Sequence, residues 1–353
     1  MARALAILGM VVVHFALVLA TERRSPDWLT TALGFLDGRA AAAFVILAGV
    51  GISLMTRSAA KSGDVQAIDH ARMVLIRRGL LLLVLGFINL AIWPGDILRV
   101  YGVSFLLASR LITSSNRRLL LGAMGCAVGF MSLLFVLDFE KNWDWATLTY
   151  SGLWTPTGLV RNLFYDGFRS VLPWTGFVFF GMWLGRLDLT QARINRVVLA
   201  AALATALATA LAVEVVSWAL VGYFSRNPQD MDFETVRALF GTESMPALPL
   251  FLLASGGEAV ALIVLCIRLT NDERSWMLQP LVDTGRMALT WYFAHIVVGL
   301  GTIVALDLEG TQSLPVAAAC GLGFFAVCVL VSWVWMRLFR FGPLEWLMRR
   351  VVG

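Results

Sequence analysis

His14 ends an apolar stretch that opens on an arginine, RALAILGMVVVHF from Arg3 to Phe15. On a helix rising 1.5 Å per residue, the histidine lies roughly 16 Å beyond Arg3, past the midplane of a bilayer that Arg3 would anchor. An ionisable group at that depth is costly and reads first as a functional site. The competing reading is a hydrogen-bonded histidine that packs two helices. A second histidine, His295 in GRMALTWYFAHIVVG, sits roughly 18 Å along its own apolar run from Asp283. It points toward the same half of the membrane, so His14 and His295 are expected to share a cavity. Trp291 stands four residues before His295, on the same helix face. The third histidine, His70, falls in a charged loop and reads as solvated.

The connection WPGDILRVYG sets Asp96 and Arg99 three apart behind a Pro94-Gly95 break. They could pair with each other, or Asp96 could orient a catalytic histidine. Asp96 could equally be a helix cap with Arg99 snorkelling to the interface. The segment LDGR places Asp37 and Arg39 before another apolar run, as caps or as groups on the same outer side as His14. Glu258, after Ser255-Gly256-Gly257, and Glu214 fall inside apolar runs and read as relay acids or packing hydrogen bonds. In ARMVLIRRG, Arg72, Arg77 and Arg78 could hold phosphate groups, or simply mark a cytoplasmic loop. Arg286 lies inside an apolar span with no evident partner in sequence.

These residues need helices to carry them. The chain of 353 residues is 59% hydrophobic and only 14% charged, against about 25% charged for soluble domains. Recurrent apolar runs of about 20 residues predict an all-α, polytopic transmembrane bundle of about ten spans. Spans four and six are expected over Asp96–Ile112 and VLPWTGFVFFGMWLG, and span nine from Val282 to about Leu306. The segment TERRSPDWLTTALGFLDGR could hold an interfacial helix. The aromatic loop Asp138–Ser170, with Trp143, Trp145 and Trp154, suits a membrane interface. Of the 28 Lys and Arg, about 19 fall on one face and about 9 on the other when the spans alternate, which predicts both termini cytoplasmic. The first run has no small-residue cleavage site after it, so no cleaved signal is expected. The net charge of +5 is explained by arginines at helix ends and requires no nucleic acid. Cys126, Cys266, Cys320 and Cys328 lie in apolar runs without metal-ligand spacing, so no metal is expected. Residues 1–353 read as one transmembrane domain.

The opening RALAILGMVVVHF resembles the first-helix signature of integral-membrane acyltransferases. Taken with DGRAAAAFVILAGVGISL, LLLLVLGFINLAIWPGDILRVYGV, VLPWTGFVFFGMWLGR, DTGRMALTWYFAHIVVG and GPLEWLMRR, the chain is similar to the YeiB-like proteins, relatives of the heparan-α-glucosaminide N-acetyltransferases. The resemblance implies transfer of an acyl group, acetyl above all, from cytoplasmic acetyl-CoA or another acyl-CoA to a hydroxyl or amine acceptor such as a sugar. It implies residence in a bacterial-type inner membrane and allows a homodimer. Carried over by position, His14 would be catalytic, with Asp96 and His295 beside it. Arg72, Arg77, Arg78 and Arg286 would bind CoA. Asp37, Arg39, Arg99 and Trp291 would bind substrate, with Arg or Trp donors serving the thioester oxyanion. The rival is a transporter or flippase of a small anionic or lipid-linked substrate. It would use the same polar residues as a binding and proton-relay site, but no internal repeat or paired broken helix is evident.

Overall fold

A computed structural model describes residues 1–21, 26–145, 147–224, 240–271 and 273–352. The expected connections at Thr21–Arg39 and Gly222–Met245 therefore lie partly outside the described residues. Among the described residues the fold is a helical bundle with one short two-stranded ribbon, Trp143–Asp144 paired with Thr149–Tyr150. Among the described residues, eight helices are long and apolar enough to cross a membrane. They are α1 (Ala2–Leu19), α3 (Arg39–Ser62, preceded by the short α2, Asp27–Leu36), α4 (Val65–Leu90), α6 (Asn116–Leu134), α9 (Ala192–Phe224), α10 (Pro249–Thr270), α12 (Ala288–Ala305) and α13 (Leu314–Leu338). The protein is an integral membrane protein.

Two expected spans take another form. Span four is α5 (Leu98–Arg110), 13 residues, and span six is α8 (Val171–Leu184), 14 residues. At 1.5 Å per residue, each covers only about 20 Å, short of a hydrocarbon core of about 30 Å. α8 is buried nearly all round, with Trp174, Phe177, Val178 and Met182 enclosed, so its apolarity serves protein contacts rather than lipid. Span nine also differs. It breaks at Met287, which leaves α11 (Gln279–Arg286) outside α12.

The chain folds as two compact units. The first combines Met1–Phe44 with Glu258–Val351. In it, α1 starts beside Gly285, where a β-carbon would lie 3.4 Å from the Ala4 nitrogen. It ends beside the α12–α13 connection, where Thr21 N–H donates to Gln312 O and Gln312 N–H to Leu19 O, both at 2.9 Å. So α1 and α12 run the same way and α13 returns. Close crossing depends on glycines: a β-carbon at Gly321 of α13 would come within 3.0 Å of Val12 Cα. The amphipathic α14 (Pro343–Val352) follows Gly342, which lies against Met287 and Thr290, while Met1 lies against nearby Gly285.

The second unit, Val45–Gly257, is built on an α4–α5 hairpin and an α6–α8 pair. Gly79 and Gly86 fall seven apart on one face of α4. Gly79 meets Gly102 of α5, and a β-carbon at Gly86 would lie 2.6 Å from the Arg99 nitrogen. Only glycine lets α5 begin that close. The aromatic loop carries the ribbon and α7 (Pro156–Arg161), and Trp143 stacks on Trp145 at 4.7 Å between centroids.

Glu345 is the firmest tie between α14 and the bundle. Its carboxylate accepts from Leu289 N–H at 2.7 Å, Thr290 N–H at 3.1 Å and Thr290 Oγ1 at 2.6 Å. This caps the start of α12, where backbone donors otherwise go unmet. Glu345→Ala is expected to destabilise the protein by about 2–4 kcal/mol, read as a lower melting temperature in detergent. Glu345→Gln, which keeps one acceptor, should lose less.

Candidate active site

In the first unit, α1 and α12 bring the two histidines into contact. His14 Nδ1 lies 3.0 Å from His295 Nε2, with the rings stacked 5.2 Å apart and 28° from parallel. His295 is wholly buried and His14 partly so. Packing fixes the pair from both sides. Phe15 fits against Gly299, where a β-carbon would lie 3.0 Å from its ring, and against Phe324 at 5.4 Å. α12 widens into a π-helical turn from His295 to Leu300, a local irregularity that recurs at functional sites.

Hydrogen bonding sets the tautomers. His295 Nδ1 lies 3.2 Å from the Trp291 carbonyl, which only accepts. His295 therefore carries its proton on Nδ1 and accepts at Nε2. The donor in the histidine pair is then His14 Nδ1–H, and the basic nitrogen of neutral His14 is Nε2. A carboxylate often orients an imidazole in this way; beside His14 a second imidazole takes that place.

The i,i+4 spacing of Trp291 and His295 works through the Trp291 backbone rather than its ring. The Trp291 indole N–H donates to Ser332 Oγ on α13 at 2.7 Å, and Ser332 donates to Cys328 O at 2.7 Å. Its one donor is thus committed, which leaves none for a substrate oxyanion.

The same unit holds Arg39 and Asp37. Asp37 is exposed where α2 ends. Arg39 opens α3 after Gly38, whose positive φ of 69° makes the turn. Its Nε lies 2.7 Å from Glu258 Oε2, and its guanidinium lies over the Phe35 ring at 4.7 Å. Arg286 is half exposed; it donates to Asp283 at 3.3 Å and to the Arg340 carbonyl at 3.4 Å. The partner missing from its apparent span is thus three residues upstream, across a helix that ends at Arg286.

In the second unit, Asp96 and Arg99 are wholly buried and bonded to each other, Nε to Oδ2 at 3.3 Å. Asn89 Nδ2 donates to Asp96 Oδ1 at 2.9 Å, and Arg99 Nη1 donates to Asn162 Oδ1 at 2.9 Å. Of the alternatives for Asp96, pairing with Arg99 is the one observed, and the carboxylate also caps α5 by accepting from Arg99 N–H at 3.0 Å. Neither side chain reaches a surface that a substrate could touch. Asn162 begins a π-helical turn that ends at buried Asp166, which pairs with Arg161 and accepts from Tyr150 at 2.7 Å. Burial pushes the Tyr150 hydroxyl up to about 12, so it stays a donor. Asn89, Asn162 and Asp166 escaped sequence reasoning because amides and loop acids carry no spacing signal. Only NLFYD, aromatics between two polar residues, hints at a buried turn.

Arg72, Arg77 and Arg78 lie on α4. Arg72 pairs with Asp69 at 2.9 Å, Arg77 is exposed and Arg78 is half-buried. Among the described residues, no cluster of three or more His, Cys, Asp or Glu could hold a metal.

Residues 181–353 match the family described as protein of unknown function (DUF418). No curated protein matches the chain. Residues 1–228, well over half the chain and including His14, Arg39, Asp96 and Arg99, match the model described as heparan-alpha-glucosaminide N-acetyltransferase, catalytic. With eight apolar helices long enough to span a bilayer and a buried histidine pair, the chain belongs to this family of membrane acyltransferases.

Proposed function

We propose that the chain is a single transmembrane acyltransferase domain that moves an acetyl group from cytoplasmic acetyl-CoA to a hydroxyl or amine acceptor, a sugar in the first instance. The observation that carries the reading is the 3.0 Å bond between His14 and His295. A paired imidazole on an apolar helix, with its proton set on Nδ1, is equipped to accept a proton at Nε2. His14 Nε2 takes the proton from the acceptor O–H or N–H as that atom attacks the thioester carbonyl. The C–S bond breaks, and His14 returns the proton to the departing thiolate, leaving CoA as the thiol. His295 acts through His14 as a positioning residue, holding its ring and tautomer. Trp291 positions His295 in turn.

Asp96 and Arg99 enter as scaffold for the start of α5 and the Asn162 turn. Arg72, Arg77, Arg78 and Arg286 are proposed to meet the CoA phosphates on the cytoplasmic side, where both termini would also lie. Arg77 and Arg286 support this best, because both residues are exposed, although Arg77 Nη1 also donates to the Val352 carbonyl at 3.3 Å. The membrane would be a bacterial-type inner membrane.

His14→Ala is expected to lower acetyl transfer by about 10²–10⁴-fold while leaving acetyl-CoA binding and detergent stability near wild type. Loss of folded protein instead would favour a packing role. His295→Asn should lower kcat with unchanged acetyl-CoA affinity, and should cost nothing further in the His14→Ala background. An additive loss there would refute its action through His14. Arg77→Ala with Arg78→Ala should weaken acetyl-CoA binding measured by calorimetry by about tenfold or more. Unchanged affinity would remove this face as the docking site.

A further inference from the structure

The Arg39–Glu258 pair is left over once the histidines and the phosphate-binding arginines have roles. It is an ion pair at bilayer depth. Glu258 lies about 14 Å along α10 from Pro249, well inside the span. Arg39 is anchored by the Gly38 turn and the Phe35 ring, so its guanidinium has little freedom. The next residue, Ala40, presses on α1 at Gly9, where a β-carbon would lie 2.9 Å from Ala40 Cβ. Gly9 precedes His14 by five residues, about 7.5 Å along the same helix. The start of α3 therefore packs on the helix that carries His14, little more than one turn away.

The pair is also open. The side chains are 13% and 24% exposed. Glu258 Oε2 is enclosed against Arg39, and among the described residues no group bonds Oε1. A partly exposed ion pair at this depth is tolerated against water and not against lipid tails. Its charges cancel, so the site does not attract a large anion such as CoA. What remains on offer is one carboxylate oxygen, fixed in place and able only to accept. The complementary group is an O–H or N–H donor on a neutral or cationic polar molecule.

We infer that Glu258, oriented by Arg39, is the residue that recognises the acceptor. Its Oε1 accepts a hydrogen bond from an acceptor hydroxyl or amine in a water-filled vestibule. This rests on the acyl-transfer reading above and adds to it the group that selects a polyhydroxy or amino-sugar acceptor over water. Arg39 is a positioning residue.

Two measurements test it. The first needs no variant: purified wild-type protein in detergent is treated with a water-soluble carbodiimide and glycine ethyl ester, and peptides are read by mass spectrometry. Modification of Glu258 is expected; an unmodified Glu258 overturns the vestibule and the inference with it. The second measures acetyl transfer from labelled acetyl-CoA to methyl α-D-glucosaminide. Glu258→Gln is expected to raise KM for the glucosaminide about 10–100-fold with KM for acetyl-CoA unchanged. Glu258→Asp, which keeps the charge, provides the same reading if the glutamine variant fails to fold. Equal KM values for the glucosaminide in wild type and variant, or parallel changes in both substrates, overturn the acceptor role. A wild-type protein modified at Glu258 that binds no acetyl-CoA and transfers no acetyl group overturns acyl transfer itself, a result distinct from failure at Glu258 alone.

Discussion

A polar side chain at bilayer depth must be bonded inside the protein or wetted, because lipid tails satisfy neither need. Most of this fold follows from that constraint. The first unit satisfies it with two histidines bonded to each other and an arginine bonded to a glutamate. The second satisfies it with a chain of side chains, Asn89 to Asp96 to Arg99 to Asn162. The two solutions differ in exposure. The second network is fully enclosed, and such a network fixes backbone geometry. The first keeps one imidazole and one carboxylate partly open. Opening a polar group at this depth brings no stability, and the proposed chemistry and recognition supply a reason to retain it.

Close helix approach is the means by which these groups meet. Side chains cannot bridge a wide interhelical gap, so the bonded pairs occur where glycine removes bulk. Gly86 admits the Arg99 backbone, Gly299 admits Phe15 beside His14, and Gly9 admits Ala40 beside Arg39. Each polar contact thus has a glycine within a few residues, and replacing that glycine would separate the partners without touching them. Dispersion and polar bonding take over here from the hydrophobic effect, which has little to offer between helices already surrounded by hydrocarbon.

The fold class was readable from composition and from the lengths of the apolar runs, and so were the two histidines. Hydropathy misreads α5 and α8 because it counts residue types and not neighbours. A core helix wrapped by other helices and a lipid-facing span have the same composition, and only length separates them. Span nine was read through Met287 because nothing in VDTGRMALTW forbids a continuous helix. The break appears once Glu345, 55 residues later, caps the new N-terminus at Thr290. Pairings over long separations were out of reach for the same reason. His14 and His295 are 281 residues apart, and no local pattern links them.

The Trp291–His295 spacing acts through an atom that a shared helix face does not single out. Trp291 and His295 stand one turn apart, which places both on one face. The decisive atom is instead the Trp291 carbonyl, which meets His295 Nδ1 just where α12 widens into its π-helical turn. An ordinary α-helical turn binds that carbonyl to one backbone N–H. Here it also meets an imidazole, and this extra bond selects the tautomer of His295 and, through it, that of His14. The indole meanwhile locks the backbone to α13 through Ser332. A substitution at Trp291 would therefore act on the proton position of a side chain on another helix. The proton on His14 is set by a backbone carbonyl, through a second ring.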